Sequence, residues 1–539
     1  MHLAENRNRL TGNNCNQPIS GRKLPGIGFN LKSLFSILLC MNILAAISPV
    51  PIEAAVPFEL PDESIKELPC VPEKTVSTYV KSSHPSVDKI AVTISYPTMP
   101  RYKSGAPVVV LLPGHGKASG LRFSIHAAQS GFAEVRFAFP GGGLTKFHTD
   151  GSWDERGKTS QTVLKDVLCF AAGKTRDYEG KKIQDRVTTR LVTENFGILS
   201  WHDSANITLV TMARYTEDLG FIKWLAFYES PVGSLLSPSI LGTSKELLLN
   251  QNYRQGSAAT GRCLIDFKKL AWQPDTRRNR HARLKHSMPT PPGVLYFDEN
   301  GNGTWEELSE FPLSYAVDPL IIKQFYAPEV TSALVKLKTF GQEKKETTNE
   351  KTGKVIKTEM IDIWPYQVAT LKESEHYFQE RDASLYIDQI GKHYPDCLFT
   401  IFAGRIDHNE QQPDHPHVAL LYNLLLASKV KWVRLNPDPN YVGFIADMNK
   451  DNFINNKPEE PIDSAKIEKH LEPEGLISDS TYMQATIAEL ADRTKHKDLS
   501  HPLLGVLESY MNEAMLAKKL EQTTPRDDKE NEDKSDDKD

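Results

Sequence analysis

Strand-like runs alternating with helical stretches predict an α/β fold: a mostly parallel central sheet, flanked by helices and interrupted by an inserted cap. Three features carry that prediction. "PVVVLLPGHG", Pro107 to Gly116, is a continuous β-branched run ending in glycines, as in a strand buried on both faces. "FGILSW", Phe196 to Trp201, is a second such run, with a helix start directly after it. Beyond residue 230 the rhythm breaks into a span rich in proline, glycine and basic residues. So long an irregular span is best read as a cap.

The elements follow in order. "KIAVTISYP" alternates as a strand does, and "SIHAAQSGF" reads as a short helix closed by Gly131. "AEVRFAFPGGG" is a strand with a glycine-rich exit, followed by a polar helix over Ser160 to Ala172. After "FGILSW" come a helix from Ser204 to Tyr215 and the strand "IKWLAFYES". "GQEKKETTNEKTGKVIKTE" is a charged excursion, an exposed hairpin or a flexible loop. The α/β pattern resumes with a helix over Ala383 to Tyr394, the strand "CLFTIFAGRID", a helix over His417 to Ala427 and a last strand, "VKWVRLNP".

The ends differ from this interior. Arg22, Lys23 and Lys32 precede the apolar run "SLFSILLCMNILAAISPV", and Ala54 and Ala55 follow it. That is the order of a signal peptide, so a secreted or periplasmic protein is expected, with a retained N-terminal anchor as the alternative. Once the signal is removed no stable membrane span is expected. "PRDDKENEDKSDDKD" lacks the apolar surface that would offset ordering entropy and reads as disordered. The expected organisation is a signal peptide and polar extension over 1–55, sheet-domain parts over 78–230 and 331–460, and the cap over 231–330. A helical segment over 461–520 and an acidic tail over 521–539 complete it.

Composition excludes several function classes. A net charge of −5 sets up no global field for nucleic acid, and the basic run Arg277 to His286 reads as a solvated surface. Cys15 and Cys40 leave with the signal; Cys70, Cys169, Cys263 and Cys397 are scattered, with no CxxC pair to hold zinc. Phosphate-loop and dinucleotide fingerprints are missing from the sequence.

Two loops carry oxygen ligands at alternate positions. "FDENGNGTWEE" offers Asp298, Asn300 and Asn302 ahead of Gly303, with Glu306 or Glu307 to complete a calcium cage. "ADMNKDNFINN" repeats the theme with Asp447, Asn449 and Asp451, although its twelfth position is Pro458. Such clusters also make ordinary turns by bonding their own backbone. Structural Ca2+ is therefore a candidate, and no cofactor is required.

Three places carry a resemblance to a known family. "LLPGHGKASG" is a His-Gly loop after a buried strand. "SWHDSAN", Ser200 to Asn206, has small residues two before and two after His202, as a tight strand-to-helix corner requires. "FAGRIDHNEQQPDHPH" puts Asp407 just after a late strand, with His408, Asp414, His415 and His417 in the same loop. The chain resembles the α/β-hydrolase superfamily over residues 88–442, as a divergent, exported, bacterial-type member. The resemblance implies an α/β-hydrolase-like fold, an oxyanion and pocket loop of Gly114, His115, Gly116 and Lys117, and Asp203 beside the apex. Many members read Gly-Trp-Ser-Asp-Gly-Gly-Asn at the corner, so the apex serine is His202 here. After the last strand, where the family carries its histidine, "VRLNPDPNYV" offers Asn436, Asp438 and Asn440. Glu229 sits where some hydrolases keep a relocated acid; its other reading is a surface or cap-hinge carboxylate.

Two of three triad positions thus depart from the family. A serine hydroxyl needs a base, and the base an orienting acid, before an acyl-enzyme forms. The expectation is a protein descended from ester or acyl hydrolases. If active, it is a carboxylic-ester-type hydrolase using His202 and Asp407 on water, or His202 with His408 or His415 on a metal. If inactive, it is a pseudoenzyme that binds a small-molecule or ester-type ligand, or an extracellular partner. The sequence leaves the oligomeric state open.

Overall fold

The computed structural model describes residues 73–499 except 115–119, 231, 234–241, 244–247, 250–266, 275–292, 307–308, 311, 314, 319–322, 338–341, 350, 363, 365–367, 406–415, 457–461, 463 and 474. The expected signal segment and acidic tail lie outside these residues, as do the basic run Arg277 to His286, Cys70 and Cys263. All described residues belong to one compact unit, Glu67–Asp539.

Eight strands form the central sheet: β1 (Glu73–Lys81), β2 (Lys89–Pro97), β3 (Ala106–Leu112), β4 (Ala133–Phe137), β5 (Leu191–Trp201), β6 (Trp224–Tyr228), β7 (Leu398–Phe402) and β8 (Trp432–Leu435). Their spatial order is β1-β2-β4-β3-β5-β6-β7-β8. β2 runs against both of its neighbours, and every other pair is parallel. This order, with one reversed strand near one edge, makes the fold α/β-hydrolase-like.

Side chains alternate across the sheet as the two-residue period of a strand dictates. Val108, Val110, Ile198, Leu225 and Phe399 face one cluster, with α1 (Lys158–Ala171), α2 (Ser204–Arg214), α5 (Ile387–His393) and α6 (Pro416–Ala427). Between α2 and α5 in the chain lie α3 (Pro328–Leu337) and α4 (Leu371–Gln379). Val109, Leu111, Leu199, Trp224 and Leu398 face the opposite cluster, with α7 (Pro439–Ala446) and α8 (Asp479–His496).

The helices begin where the sequence supplies acceptors. Asp154 takes the amides of Thr159 (2.7 Å) and Ser160 (3.3 Å) at the head of α1. Asp438 caps α7 from the amide of Asn440 at 2.9 Å, with Pro439 at the first helical position.

Between β6 and β7 a separate cluster gathers Leu270, Leu295, Phe297, Leu313, Tyr326, Val330 and Leu334. The charged excursion forms a two-stranded antiparallel hairpin, Gln342–Thr348 with Val355–Asp362. Cys169 and Cys397 are free, buried thiols. Among the described residues no helix is long and apolar enough to cross a membrane.

Candidate functional site at the carboxyl ends of the strands

In open parallel sheets, ligands bind outside the carboxyl ends of the strands. Five of the nine non-glycine residues with positive φ among the described residues lie in the segments that leave these strands. Glu155 (φ 52°) and Arg156 (φ 61°) lie in the chain after β4, His202 (φ 53°) after β5, Glu229 (φ 47°) after β6 and Asn436 (φ 60°) after β8. Non-glycine residues adopt this left-handed conformation at a cost and gather where a site needs them.

The corner after β5 is built tightly. β5 ends at Trp201 and α2 begins at Ser204. The His202 amide donates to Tyr228 O at 3.1 Å, tying the corner to β6. Gly114, at the exit of β3, lies so close that a Cβ there would stand 2.2 Å from the His202 Cβ. The Ser204 hydroxyl donates to Pro113 O, which closes the same contact from the other side. The His202 ring packs on Trp201 at 4.6 Å, and Trp201 stacks on Phe123 at 4.9 Å. His202 is 3% exposed.

The hydroxyls around this corner are engaged. Ser204 gives its proton to Pro113 O. Thr208 gives its proton to Ser204 O at 2.9 Å, so Ser200 is the donor in the 2.7 Å Ser200–Thr208 bond. Ser230 donates to Ser200 O at 3.0 Å.

Glu229 stands one step along from the corner. Trp201 and Tyr228 are the last registered pair of β5 and β6, so His202 and Glu229 are the next residues of adjacent parallel strands. Glu229 is 1% exposed, which replaces the surface reading with a buried carboxylate. Its amide donates to Phe402 O at 3.3 Å.

Asn436 cross-links the last exits rather than standing in for a histidine. It accepts from the Ala403 amide and donates to His470 O, both at 2.7 Å. His470, which sequence reasoning did not consider, is thereby held beside the exits of β7 and β8. Its Nδ1 lies 2.7 Å from Asn456 Oδ1. Because that oxygen only accepts, Nδ1 carries a proton. Next to it, Glu472 pairs through its backbone with Ala403 and Arg405. Its buried carboxyl, desolvated first of all, is pushed up to about 7.

Asp203 precedes the first turn of α2, yet its carboxylate caps nothing there and pairs with Arg156 instead. Arg156 Nη1 also reaches Asp203 O at 3.4 Å. Arg381 holds this loop by donating to Glu155 O (2.9 Å) and Asp154 O (2.8 Å). Burial pushes the Glu155 carboxyl up to about 7, against the lowering influence of Trp153, Arg156 and Arg381. Sequence reasoning missed both Glu155 and Arg156. The available signal was "WDERG", three charges after a glycine-rich strand exit.

The raised Glu155 carboxyl makes a pH prediction. The native carboxyl keeps its proton to about pH 7, whereas the ordinary value is 4.5. Between those values the native state binds more protons, so this group's contribution to stability falls as pH rises. Glu155→Gln is expected to gain Tm relative to the unmutated protein from pH 4.5 to 7, and to hold that gain above 7. The difference between the two melting curves isolates Glu155 from Glu472, which acts with the same sign. A constant difference across pH would contradict the assignment.

The other sequence-predicted residues fall as follows. His115, Gly116, Lys117, Asp407, His408, Asp414, His415 and Glu307 lie outside the described residues, as does the side chain of His417. Asp298 accepts from the amides of Asn302 (3.1 Å) and Gly303 (2.9 Å), and Asn300 from that of Asn302 (2.9 Å). Asn302 in turn reaches Glu306 at 2.8 Å. These oxygens shape the loop through its own backbone. Asp447 closes α7 in a left-handed conformation, and Asn449 accepts from the Asp451 amide at 3.1 Å. Among the described residues no group of three or more histidine, cysteine or acidic side chains is placed to hold a metal ion.

No protein-family model and no curated protein matches the chain. Solved structures that it resembles in part include a vibralactone cyclase, at 13% identity and a TM-score of 0.22, over 30% of this chain and 45% of that one. The esterase Est22 follows at 13% and 0.25, over 32% and 50%. A fungal esterase from Rhizomucor miehei stands at 16% and 0.23, over 32% and 49%. The chain thus spans about half the length of these proteins. Likeness at that level carries no weight beside the strand order and direction, which define the fold.

Proposed function

We propose that this is an exported protein on an ester-hydrolase scaffold, which binds a small-molecule ligand at the carboxyl edge of its sheet and forms no acyl-enzyme there. One observation carries the reading: the left-handed corner between β5 and α2 holds a buried imidazole, His202, while the hydroxyls around it are committed to backbone or neighbouring oxygens. An acyl-enzyme needs a hydroxyl or thiol freed by a base. Retention of a strained, closely packed corner still favours a working pocket over a vestigial turn.

A second reading is favoured by Glu229. A buried carboxylate next in register to an imidazole suits a general base acting on water, a contribution of about 10²–10⁴-fold in rate. The two readings separate in one experiment. Hydrolysis of p-nitrophenyl acetate and butyrate is measured for the protein, for His202→Ala and for His202→Ser, alongside labelling by a fluorophosphonate. The binding reading expects no labelling of the unmutated protein and equal background rates for it and His202→Ala. Turnover that His202→Ala abolishes establishes the general-base reading instead. Fluorophosphonate labelling of the unmutated protein contradicts both.

A further inference from the structure

The guanidinium of Arg156 is half used. Nη1 is held by the Asp203 carboxylate and by Asp203 O. Nε and Nη2 are buried and have no hydrogen-bond partner. The side chain is 12% exposed. Buried charged donors left without acceptors are costly and rare, so such a pair calls for a ligand atom or an ordered water.

The unpaired edge has a definite shape. Nε and Nη2 lie on one side of the planar guanidinium and donate in parallel, which matches two oxygens of a carboxylate. Arg101 shows the same edge in use: its Nε and Nη2 grip the two oxygens of Asp492 at 2.7 and 2.6 Å. In Arg156 that edge makes no hydrogen bond, while the opposite side is anchored to the residue that follows His202.

The loop is built to keep it there. Glu155 and Arg156 are consecutive left-handed residues, a conformation that neither favours. Arg381 fixes Asp154 and Glu155 by their carbonyls, and Gln161 Nε2 holds Arg156 O at 3.0 Å. The same Gln161 nitrogen reaches Glu380 O at 2.9 Å, which joins the loop to the chain ahead of α5. A preorganised donor fork loses little entropy when its acceptor arrives.

We propose that Arg156 is the anchor of a carboxylate-recognition site beside the His202 corner, so that the ligand is a small organic acid or carries a free carboxylate. This rests on the reading of the strand edge as a ligand site and names the ligand class. A planar carboxylate is preferred over phosphate because the edge offers two coplanar donors and Asp203 already neutralises part of the charge.

The test is calorimetric titration of the full chain with butyrate, benzoate, inorganic phosphate, butyramide and benzamide. The same titrations are run on Arg156→Lys and Arg156→Gln, after thermal melting has confirmed that each is folded. Saturable binding of a carboxylate, about 10- to 100-fold weaker in both variants, is expected. Lysine keeps the charge and loses the fork, so Arg156→Lys separates recognition from simple attraction. On the unmutated protein, butyrate or benzoate should protect Arg156 from phenylglyoxal, as read by peptide mass spectrometry. That measurement stands even if both variants unfold.

Carboxylate affinity equal in all three proteins, or phosphate bound in preference, overturns the assignment. Binding of the neutral amides but not the acids overturns it while leaving the strand edge as a ligand site. Binding of none of the probes, with Arg156 unprotected, removes both and leaves the unpaired edge to a buried water.

Discussion

Replacing Asp492 by alanine is expected to destabilise the protein by about 3–5 kcal/mol, the cost of breaking a buried ion pair from one side. Asp492 lies on α8 with a fully buried carboxylate. It accepts from Nε and Nη2 of Arg101, and from the hydroxyls of Tyr102 (2.8 Å) and Tyr441 (2.9 Å) as well. Alanine would leave a guanidinium that is 1% exposed facing a void, with two phenols short of an acceptor. The carbonyl of Ser130, 3.3 Å from Arg101 Nη1, cannot neutralise the charge. Asp492→Asn should recover little, because its amide nitrogen would meet a guanidinium donor. Arg101→Met with Asp492→Leu should recover the part of the loss that comes from the unpaired charge, since apolar replacement of both partners removes that desolvation penalty, while the hydroxyls of Tyr102 and Tyr441 still lack their acceptor. Urea unfolding of the two single variants and the double variant measures this. A loss below about 1 kcal/mol for Asp492→Ala, the range of exposed pairs, would show that the network is solvated in solution.

That pair also marks the limit of what the sequence discloses. β3, β5, β6 and β7 were legible because strands buried on both faces must be apolar at nearly every position. β1 was not. "EKTVSTYVK" is an edge strand whose first half is largely exposed, so its alternation is weak, and only the nine-residue register with β2 reveals it. α8 was visible only as a helical segment. Its docking rests on a contact between residues 391 apart, which no local pattern encodes.

The site divides in the same way. The corner at His202 was readable because a tight turn demands small neighbours at fixed offsets, and Ser200, Ala205 and Ser204 sit in that short stretch. Asn436 was readable as a departure from the family but not as a clasp, since its partners, Ala403 and His470, come from two other segments. Arg156 was invisible for a related reason. Its meaning lies in an ion pair with a residue 47 positions away and in two buried nitrogens that lack a hydrogen-bond partner.

Gly114→Ala should lower stability by about 1–3 kcal/mol, the usual range for overpacking, and should abolish ligand binding at the strand edge. The added Cβ would stand 2.2 Å from the His202 Cβ, 2.8 Å from Cγ and 2.9 Å from Cδ2. Rotating the imidazole relieves the last two contacts and leaves the first, because a Cβ is fixed by its own backbone. The β3 exit and the β5 corner would therefore have to separate by about 1.5 Å to reach normal carbon contact. The Ser204 bond to Pro113 O and the His202 amide bond to Tyr228 O resist that movement from opposite sides. A companion variant makes the cause identifiable. In Gly114→Ala with His202→Gly, the opposing Cβ is gone and position 202 keeps its left-handed backbone without strain. The double variant should be less destabilised than the sum of the two single variants, a coupling that a double-mutant cycle reads directly. Strict additivity, or a Gly114→Ala protein with unchanged Tm, would mean that the two strand exits do not touch as the packing of Gly114 against His202 requires.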